Sequence, residues 1–328
     1  MPEHRLLSHG PGEAGAYCAD NTAMCPLIWW CGPRQYGLST LFGVALWTAL
    51  FCLICGLLYP LVKNLIERWP SKYEEEKGPV WFAWHVQSTI HASLVVFMVF
   101  GPLLWLGDAR PITQFDVPSA VGSESITDSI SWIANASHVF FCYTLVDTLI
   151  TFYRKHMTPD YFAHHAVFCF FCILIQYDCF ASYLAGWLII MEISTVFLNG
   201  FSFFRNRLGY DHIVVKVFFV LFALTFFFCR LLGTSYIAGY FSYVVYKDDV
   251  PFVGIPRWHL YVLCAALTVA VVLQFFWAYT IGKKVVRMLV GSGGGDDGSR
   301  RESTGALRES EAKGSGASAL RKRLLVES

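Results

Sequence analysis

The chain has 328 residues, of which 55% are hydrophobic and only 15% are charged, and its mean hydropathy is +0.47. Soluble domains carry about 25% charged residues, so this composition indicates a membrane protein rather than a soluble domain. The formal net charge is +1, and no basic cluster occurs outside the C-terminal tail, which argues against a nucleic-acid partner.

Apolar segments of the length that crosses a bilayer, about 20 residues, recur along the chain. We predict seven membrane-spanning helices, at 39–62, 80–106, 130–152, 161–177, 181–200, 213–232 and 258–281. The fourth is short, and a minimal loop separates it from the fifth, so these two are predicted to form a tight helical hairpin. The predicted fold is therefore an all-α, multi-pass transmembrane helical bundle of about seven spans.

Lysines and arginines are most frequent in the loops that follow the odd-numbered spans. Loops rich in these residues stay in the cytosol, which places the C-terminus in the cytosol and the N-terminus on the opposite side. We predict three regions on this basis. They are a polar, non-cytosolic segment at 1–38, a transmembrane bundle at 39–284, and a Gly- and Ser-rich, disordered cytosolic tail at 285–328.

Ionisable side chains inside the predicted spans mark a candidate functional site, because each costs about 2.5–3.5 kcal/mol at a helix centre. Asp147 lies near the cytosolic end of the third span, and Tyr143 lies four residues earlier on the same face. His164 and His165 lie in the first two turns of the fourth span, on the cytosolic side. We predict that Asp147 and the histidine pair lie at similar depth.

The fifth span adds a polar stripe at this depth. Glu192, Thr195 and Asn199 are spaced at i, i+3 and i+7, which places them on one face of a helix. His85 and His91, in the second span, are predicted to be polar contacts within the bundle. Ionisable groups from four helices thus meet at one depth, and such groups face a bundle interior or a cavity.

The adjacent histidines follow a good helix start, with Thr158 as N-cap and Pro159 at the first helical position. The helix dipole and apolar surroundings favour neutral imidazole, which a general base or a nucleophile requires. Neighbouring residues project about 100° apart, so one ring can face a cavity and the other a helix. A purely structural role for both rings stays open. Adjacent histidines lack the one-face spacing of two metal ligands, so neither a metal nor a cofactor is expected.

Two ionisable residues depart from this arrangement. His138 lies nine residues before Asp147, about half a turn away around the helix, so the two cannot share a face. Arg230 lies near the predicted non-cytosolic end of the sixth span, and this position predicts a snorkelling arginine.

Four segments, taken in order, resemble a known family. They read FFCYTLVDTLITF (140–152), YFAHHAVF (161–168), IIMEISTVFLNGFSFF (189–204) and FFFCRLLG (226–233). In this order they resemble the TLC-domain family of membrane proteins, which includes the ceramide synthases and several TLC-domain-containing proteins of less certain role. The resemblance extends over roughly residues 81–284.

The resemblance implies a TLC-type helical bundle around a lipid-accessible cavity, in the endoplasmic reticulum or another endomembrane. It implies that the catalytic residues, if the chain is an enzyme, are His164, His165 and Asp147. Glu192, Asn199 and Arg230 correspond to a motif of the non-synthase branch. With Tyr143, which shares the face of Asp147, they are the candidate substrate-binding residues.

The chain departs from both branches of the family at 191–202. Ceramide synthases carry His-Asp-x-x-Asp in the helix after the histidine pair, where this chain reads Met-Glu-Ile-Ser-Thr at 191–195. The second carboxylate is missing, which disfavours ceramide synthesis from acyl-CoA. The non-synthase branch carries Pro after Ser-Thr, where this chain has Val196. We therefore expect a divergent member of the non-synthase branch.

Three functions are compatible with these patterns. The departures favour a protein that binds, senses or transfers a lipid in membrane lipid homeostasis. The first alternative is an acyltransferase acting on a lipid amine or hydroxyl, with a histidine as base or nucleophile and acyl-CoA as co-substrate. The second is a seven-span receptor or transporter. The expected partners are a membrane lipid, the bilayer and, in an oligomer, further copies of the chain.

Overall fold

The computed structural model describes residues 33–69, 71, 74–109, 124–155, 157–178, 182–247 and 257–290. All regular secondary structure in these ranges is helical, which confirms the predicted all-α, multi-pass bundle. Most of the predicted N-terminal segment and of the predicted C-terminal tail lies outside the described residues, so the predictions for them are untested.

The structure describes ten α-helices, numbered here in chain order. They are α1 (Pro33–Leu53), α2 (Tyr59–Glu67), α3 (Pro79–Ala109), α4 (Glu124–Tyr153), α5 (Pro159–Asp178), α6 (Ser182–Ile190), α7 (Ile193–Leu208), α8 (Ile213–Thr225), α9 (Thr234–Lys247) and α10 (Arg257–Val290). A π-helical segment, Ile54–Leu58, joins α1 to α2, and a second one, Phe226–Gly233, joins α8 to α9. Each of these segments joins its two flanking α-helices into one continuous helix.

Six stretches of the described chain are long and apolar enough to cross a membrane. They are Ser39–Glu67, Pro79–Leu104, Trp132–Tyr153, Leu184–Leu208, Ile213–Lys247 and Arg257–Val286. Each contains most of one predicted span. The remaining predicted span, 161–177, forms α5, which runs antiparallel to α4. His165 of α5 lies beside Asp147 of α4, and Phe168, further along α5, lies beside Phe140, earlier in α4.

The predicted limit of the sixth span is wrong. The helix does not end at Leu232 but continues to Lys247, because the π-helical segment carries it onward without a break. Arg230 therefore lies in the middle of this helix rather than near its end. The prediction of a snorkelling arginine is wrong as well, since the Arg230 side chain is buried.

The predicted fifth span consists of two helices rather than one. Helix α6 ends at Ile190, α7 begins at Ile193, and a turn at Met191 and Glu192 joins them. In this turn the Met191 carbonyl oxygen accepts from the Ser194 backbone N–H at 3.2 Å, and its second lone pair can accept from a side chain.

Helix α4 lies at the centre of the bundle. Of the residues in its most apolar stretch 61% are buried, against 11% in the first candidate span. Helices α1, α3, α5 and α6 pack around it, and the core between them is apolar and aromatic. The first span instead turns large apolar side chains outward, Leu41 and Phe42 among them. Such a surface suits contact with lipid chains.

Helices α7 and α8 form a close antiparallel pair. The turn between them begins at Gly209, whose φ of +79° is a backbone conformation that glycine adopts without strain. Gly200 of α7 faces the Phe218 ring of α8, and a Cβ at Gly200 would collide with that ring. The absence of a side chain at Gly200 therefore permits this close approach.

The chain forms two compact units, Met1–Ala278 and Tyr279–Ser328. The first unit contains α1 to α9 and most of α10. In the second unit the described residues continue α10 to Val290, and the Lys283 ammonium lies 4.1 Å from the centre of the Tyr279 ring.

Candidate functional site

Asp147 is the centre of a buried polar cluster. Trp84 Nε1 donates a hydrogen bond to its Oδ1 at 2.5 Å, and the Tyr143 hydroxyl donates to the same oxygen at 3.3 Å. The Tyr161 hydroxyl donates to Oδ2 at 2.6 Å, and His165 Nε2 lies 3.4 Å from that oxygen. Groups from α3, α4 and α5 thus surround one carboxylate, which meets the requirement that a buried charge be hydrogen-bonded.

His165 faces α4, and both of its ring nitrogens are engaged. Nε2 faces the Asp147 carboxylate, and Nδ1 lies 2.7 Å from the Thr148 hydroxyl oxygen. The Tyr161 ring packs against the imidazole with 4.2 Å between ring centres. His165 is therefore held in position by its neighbours, and neither nitrogen is open to a ligand in this arrangement.

His164 points in a different direction, as the 100° spacing of adjacent residues predicts. Its ring is buried against Phe168 and meets the Trp277 indole of α10 edge-on, 5.1 Å between ring centres. Trp277 Nε1 in turn donates to Asp160 Oδ2 at 2.9 Å. His164 Nδ1 is buried without a hydrogen-bond partner. Of the two adjacent histidines, His164 is thus the one with a ring nitrogen that lacks a partner.

A buried ion pair joins α8–α9 to the α6–α7 turn. Arg230 Nη2 lies 2.9 Å from Glu192 Oε1 and also donates to the Thr195 hydroxyl at 2.8 Å. Arg230 Nε donates to the Ser194 hydroxyl at 2.6 Å and lies 3.3 Å from the Met191 carbonyl oxygen. The guanidinium thus also contacts the carbonyl oxygen of this turn. Arg230 lies within the π-helical segment, a type of segment that is frequent at functional sites.

The ion pair lies close to the Asp147 cluster. Arg230 lies within electrostatic range of His164, and Glu192 lies within electrostatic range of His165 and Tyr143. The structure thus brings Asp147, the histidines and Glu192 together.

Asn199 does not join this cluster, although sequence periodicity predicts that it shares the face of Glu192. Its Nδ2 lies 3.1 Å from the Thr89 hydroxyl oxygen and 3.5 Å from the His85 carbonyl oxygen. Glu192 belongs to the turn before α7 and pairs with Arg230, whereas Asn199 faces α3. Asn199 therefore contributes to helix packing between α7 and α3.

The other buried histidines also make contacts inside the bundle. His91 stacks on the Tyr143 ring with 3.8 Å between centres, and His85 lies 4.0 Å from the centre of the Trp81 ring. His138 Nε2 lies 3.2 Å from the Cys142 sulfur. Within the described part of the chain, no group of three or more His, Cys, Asp or Glu residues is arranged to hold a metal ion.

Sequence reasoning missed three aromatic residues of the site, Trp84, Tyr161 and Trp277. Each uses an indole N–H or a phenol O–H toward a carboxylate. The chain has 11 tryptophans and 16 tyrosines, so their presence in the spans carries no signal. Only the spacing of Tyr161 four residues before His165 indicated that the two share a helical face.

The fold and the site together define a multi-pass helical membrane protein with a polar site inside the bundle. The family model of the TLC domain, which covers the TRAM, LAG1 and CLN8 proteins, matches residues 81–283. This is more than half of the chain, so the chain belongs to the TLC-domain family. The matched range contains the Asp147 cluster and the Arg230–Glu192 ion pair, and it leaves α1 and α2 outside. No curated protein and no solved structure matches the chain.

Proposed function

We propose that the protein binds a membrane lipid inside the bundle and acts in lipid homeostasis by binding, sensing or transferring it. The observation that carries this proposal is His164. Its Nδ1 is buried without a partner, beside an Asp147 carboxylate that already accepts hydrogen bonds and a Glu192 that is paired with Arg230. A polar atom buried in this way is costly unless a ligand or water completes its hydrogen bonding.

The state of Asp147 and His165 favours binding over catalysis. A general base needs a free nitrogen or oxygen within hydrogen-bond reach of the proton that it takes. Asp147 accepts from three donors, and both nitrogens of His165 are engaged. The two residues are better suited to hold α4 and α5 in register around His164 than to exchange protons with a substrate.

Native mass spectrometry and lipidomics on the purified protein test this proposal, with wild type compared to His164→Gln. We expect an intact lipid on wild type and its loss from His164→Gln. The matched control is His212→Gln, because His212 is an exposed N-cap of α8 outside the site. Wild type without lipid, or equal lipid on all three proteins, would contradict the proposal.

An acyltransferase is the second candidate, and the His164 nitrogen that lacks a partner, beside His165 and Asp147, favours it. His164 would attack an acyl thioester such as acyl-CoA and release the thiol. A lipid amine or hydroxyl would then take the acyl group from the imidazole. A covalent acyl mass on His164 in the same spectra would support this candidate over a binding protein.

The location in the cell belongs to the proposal too. We infer an endomembrane such as the endoplasmic reticulum, with the C-terminus in the cytosol. The family membership and the distribution of Lys and Arg in the loops support this. Fluorescence microscopy of the tagged protein beside organelle markers tests the location.

A further inference from the structure

A glutamine outside the Asp147 cluster and the Arg230–Glu192 ion pair is buried without any hydrogen bond. Gln274 of α10 is 0% exposed, and neither its amide nitrogen nor its amide oxygen has a partner. A primary amide carries two donor hydrogens and one acceptor oxygen. Leaving all of them unpaired in the interior of a membrane protein is unfavourable, so Gln274 calls for a ligand that supplies both an acceptor and a donor.

Gln274 lies on the face of α10 that turns toward the core. The buried residues Leu263, Leu267 and Ala270 precede it at helical spacing on the same stripe. Trp277, three residues later, contacts His164 of α5. Trp277 is therefore a neighbour of both residues whose polar atoms lack partners, Gln274 along α10 and His164 across the seam between α10 and α5.

Side chains, rather than a close approach of backbones, join α5 to α10. Close backbone approaches join α3 to α4 and α7 to α8, whereas among the described helices none makes an extensive approach of this kind to α10. Side chains such as Trp277 bridge the seam instead. Side chains can rotate aside, and a lipid can then enter from the bilayer with its chains still in the hydrocarbon.

The charges around the seam select against an ionised head group. Arg230 lies within electrostatic range of His164, and its guanidinium already pairs with Glu192 and donates to two hydroxyls. The Asp160 carboxylate, which accepts from Trp277, also lies at this seam and repels an anion. A phosphate at this site would therefore compete with Glu192 for Arg230, would be repelled by Asp160 and would lose its hydration, which is costly.

From these observations we propose that Gln274 and His164 bind the head group of an uncharged lipid in which a hydrogen-bond donor lies beside an acceptor. A hydroxyl next to an ester, or an amide, has this chemistry. The inference rests on the proposed lipid binding and adds the class of head group and the residue that recognises it.

Photo-crosslinking tests the inference on the full chain in phosphatidylcholine nanodiscs. The probes are a diazirine-labelled monoacylglycerol, a diazirine-labelled fatty-acid ethanolamide and a diazirine-labelled phosphatidic acid. We expect wild type to label with the first two in preference to phosphatidic acid, with adducts in the peptides of α5 and α10. In Gln274→Met, labelling by the two uncharged probes should fall about tenfold, which corresponds to about 1.4 kcal/mol.

A stability measurement separates recognition from a structural role. Gln274→Met removes an unpaired buried amide and should raise the melting temperature, although it weakens binding. Gln87→Met is the matched control, because Gln87 is equally buried but donates to the Trp47 carbonyl oxygen at 2.9 Å. Its replacement should lower the melting temperature and leave the preference among probes unchanged. Gln274→Leu repeats the test if the methionine variant does not fold.

The outcomes distinguish the inference from the function on which it rests. Labelling that is unchanged in Gln274→Met and Gln274→Leu overturns the inference and leaves lipid binding in place. Preferential labelling of wild type by phosphatidic acid also overturns the inference and leaves lipid binding in place. A wild-type protein that labels with none of the three probes and carries no lipid overturns both proposals.

Discussion

At the residue scale, Arg230 and Glu192 form a buried ion pair within the described bundle core. Both side chains are almost fully buried, and the guanidinium also binds the Ser194 and Thr195 hydroxyls. Two charges in a medium of low dielectric attract strongly, but each loses its hydration. The pair therefore stabilises the fold only while both partners are present.

The first prediction concerns this pair. Arg230→Met and Glu192→Met should each lower the free energy of unfolding by about 3–5 kcal/mol, because each leaves a buried charge without its partner. The double variant should be much closer to wild type, since it leaves neither charge behind. Denaturant unfolding of the purified protein in detergent measures the cycle. Additive losses in the double variant would show that the pair does not act as a unit.

The second prediction concerns the donors to Asp147. Tyr161→Phe should cost about 1.5–3 kcal/mol of unfolding free energy, since it removes a hydrogen bond to a charged group. Tyr153→Phe is the control, because the Tyr153 side chain is 83% exposed. It should change the stability by no more than about 0.5 kcal/mol. Equal effects of the two variants would mean that Tyr161 does not support the carboxylate.

At the element scale, the two π-helical segments set the directions of the side chains that follow them. A π-helical turn is wider than an α-helical turn and shifts the register of the helix beyond it. In Phe226–Gly233 the shift occurs around Arg230, whose side chain reaches the turn between α6 and α7. Through Arg230, the π-helical segment Phe226–Gly233 thus connects the Ile213–Lys247 span to the turn between α6 and α7.

The third prediction concerns the α7–α8 pair. Gly200→Ala should destabilise the protein by about 1–3 kcal/mol, because the added methyl group collides with the Phe218 ring. Adding Phe218→Leu should recover part of this loss. Gly239→Ala in α9 is the matched control, since its Cβ meets open space and alanine favours the helix. A stabilising effect of Gly200→Ala would contradict the close approach of α7 and α8.

At the scale of the whole molecule, the number of crossings decides on which sides of the membrane the termini lie. In our proposed topology, the six candidate spans of the described residues and α5, taken as a further crossing, give seven crossings. An odd number places the two termini on opposite sides. From the distribution of Lys and Arg in the loops we then propose a C-terminus in the cytosol.

The fourth prediction tests this topology with epitope tags on the two termini. In cells with a selectively permeabilised plasma membrane, antibodies should reach the C-terminal tag but not the N-terminal tag. Full permeabilisation should expose both. Access to both tags in the first condition would mean an even number of crossings, and α5 would then not cross the membrane.

The all-α bundle follows from the sequence by itself. A helix in lipid must satisfy its own backbone hydrogen bonds, so apolar runs of sufficient length report helices directly. The sequence also showed that Asp147 shares a helical face with Tyr143 and that the two histidines diverge, because both follow from positions within one helix. The ends of the spans followed less reliably from the sequence, because a π-helical segment can continue a helix past its predicted end.

The pairing of side chains was decided by the tertiary structure alone. Glu192 meets Arg230 across 38 residues and Trp84 meets Asp147 across 63, and each pair joins different helices. Such contacts depend on the rotation of each helix about its axis and on the turn at Met191, and neither can be read from hydrophobic periodicity. For the same reason, only packing shows that His165 is fully engaged whereas His164 and Gln274 retain unpaired polar atoms.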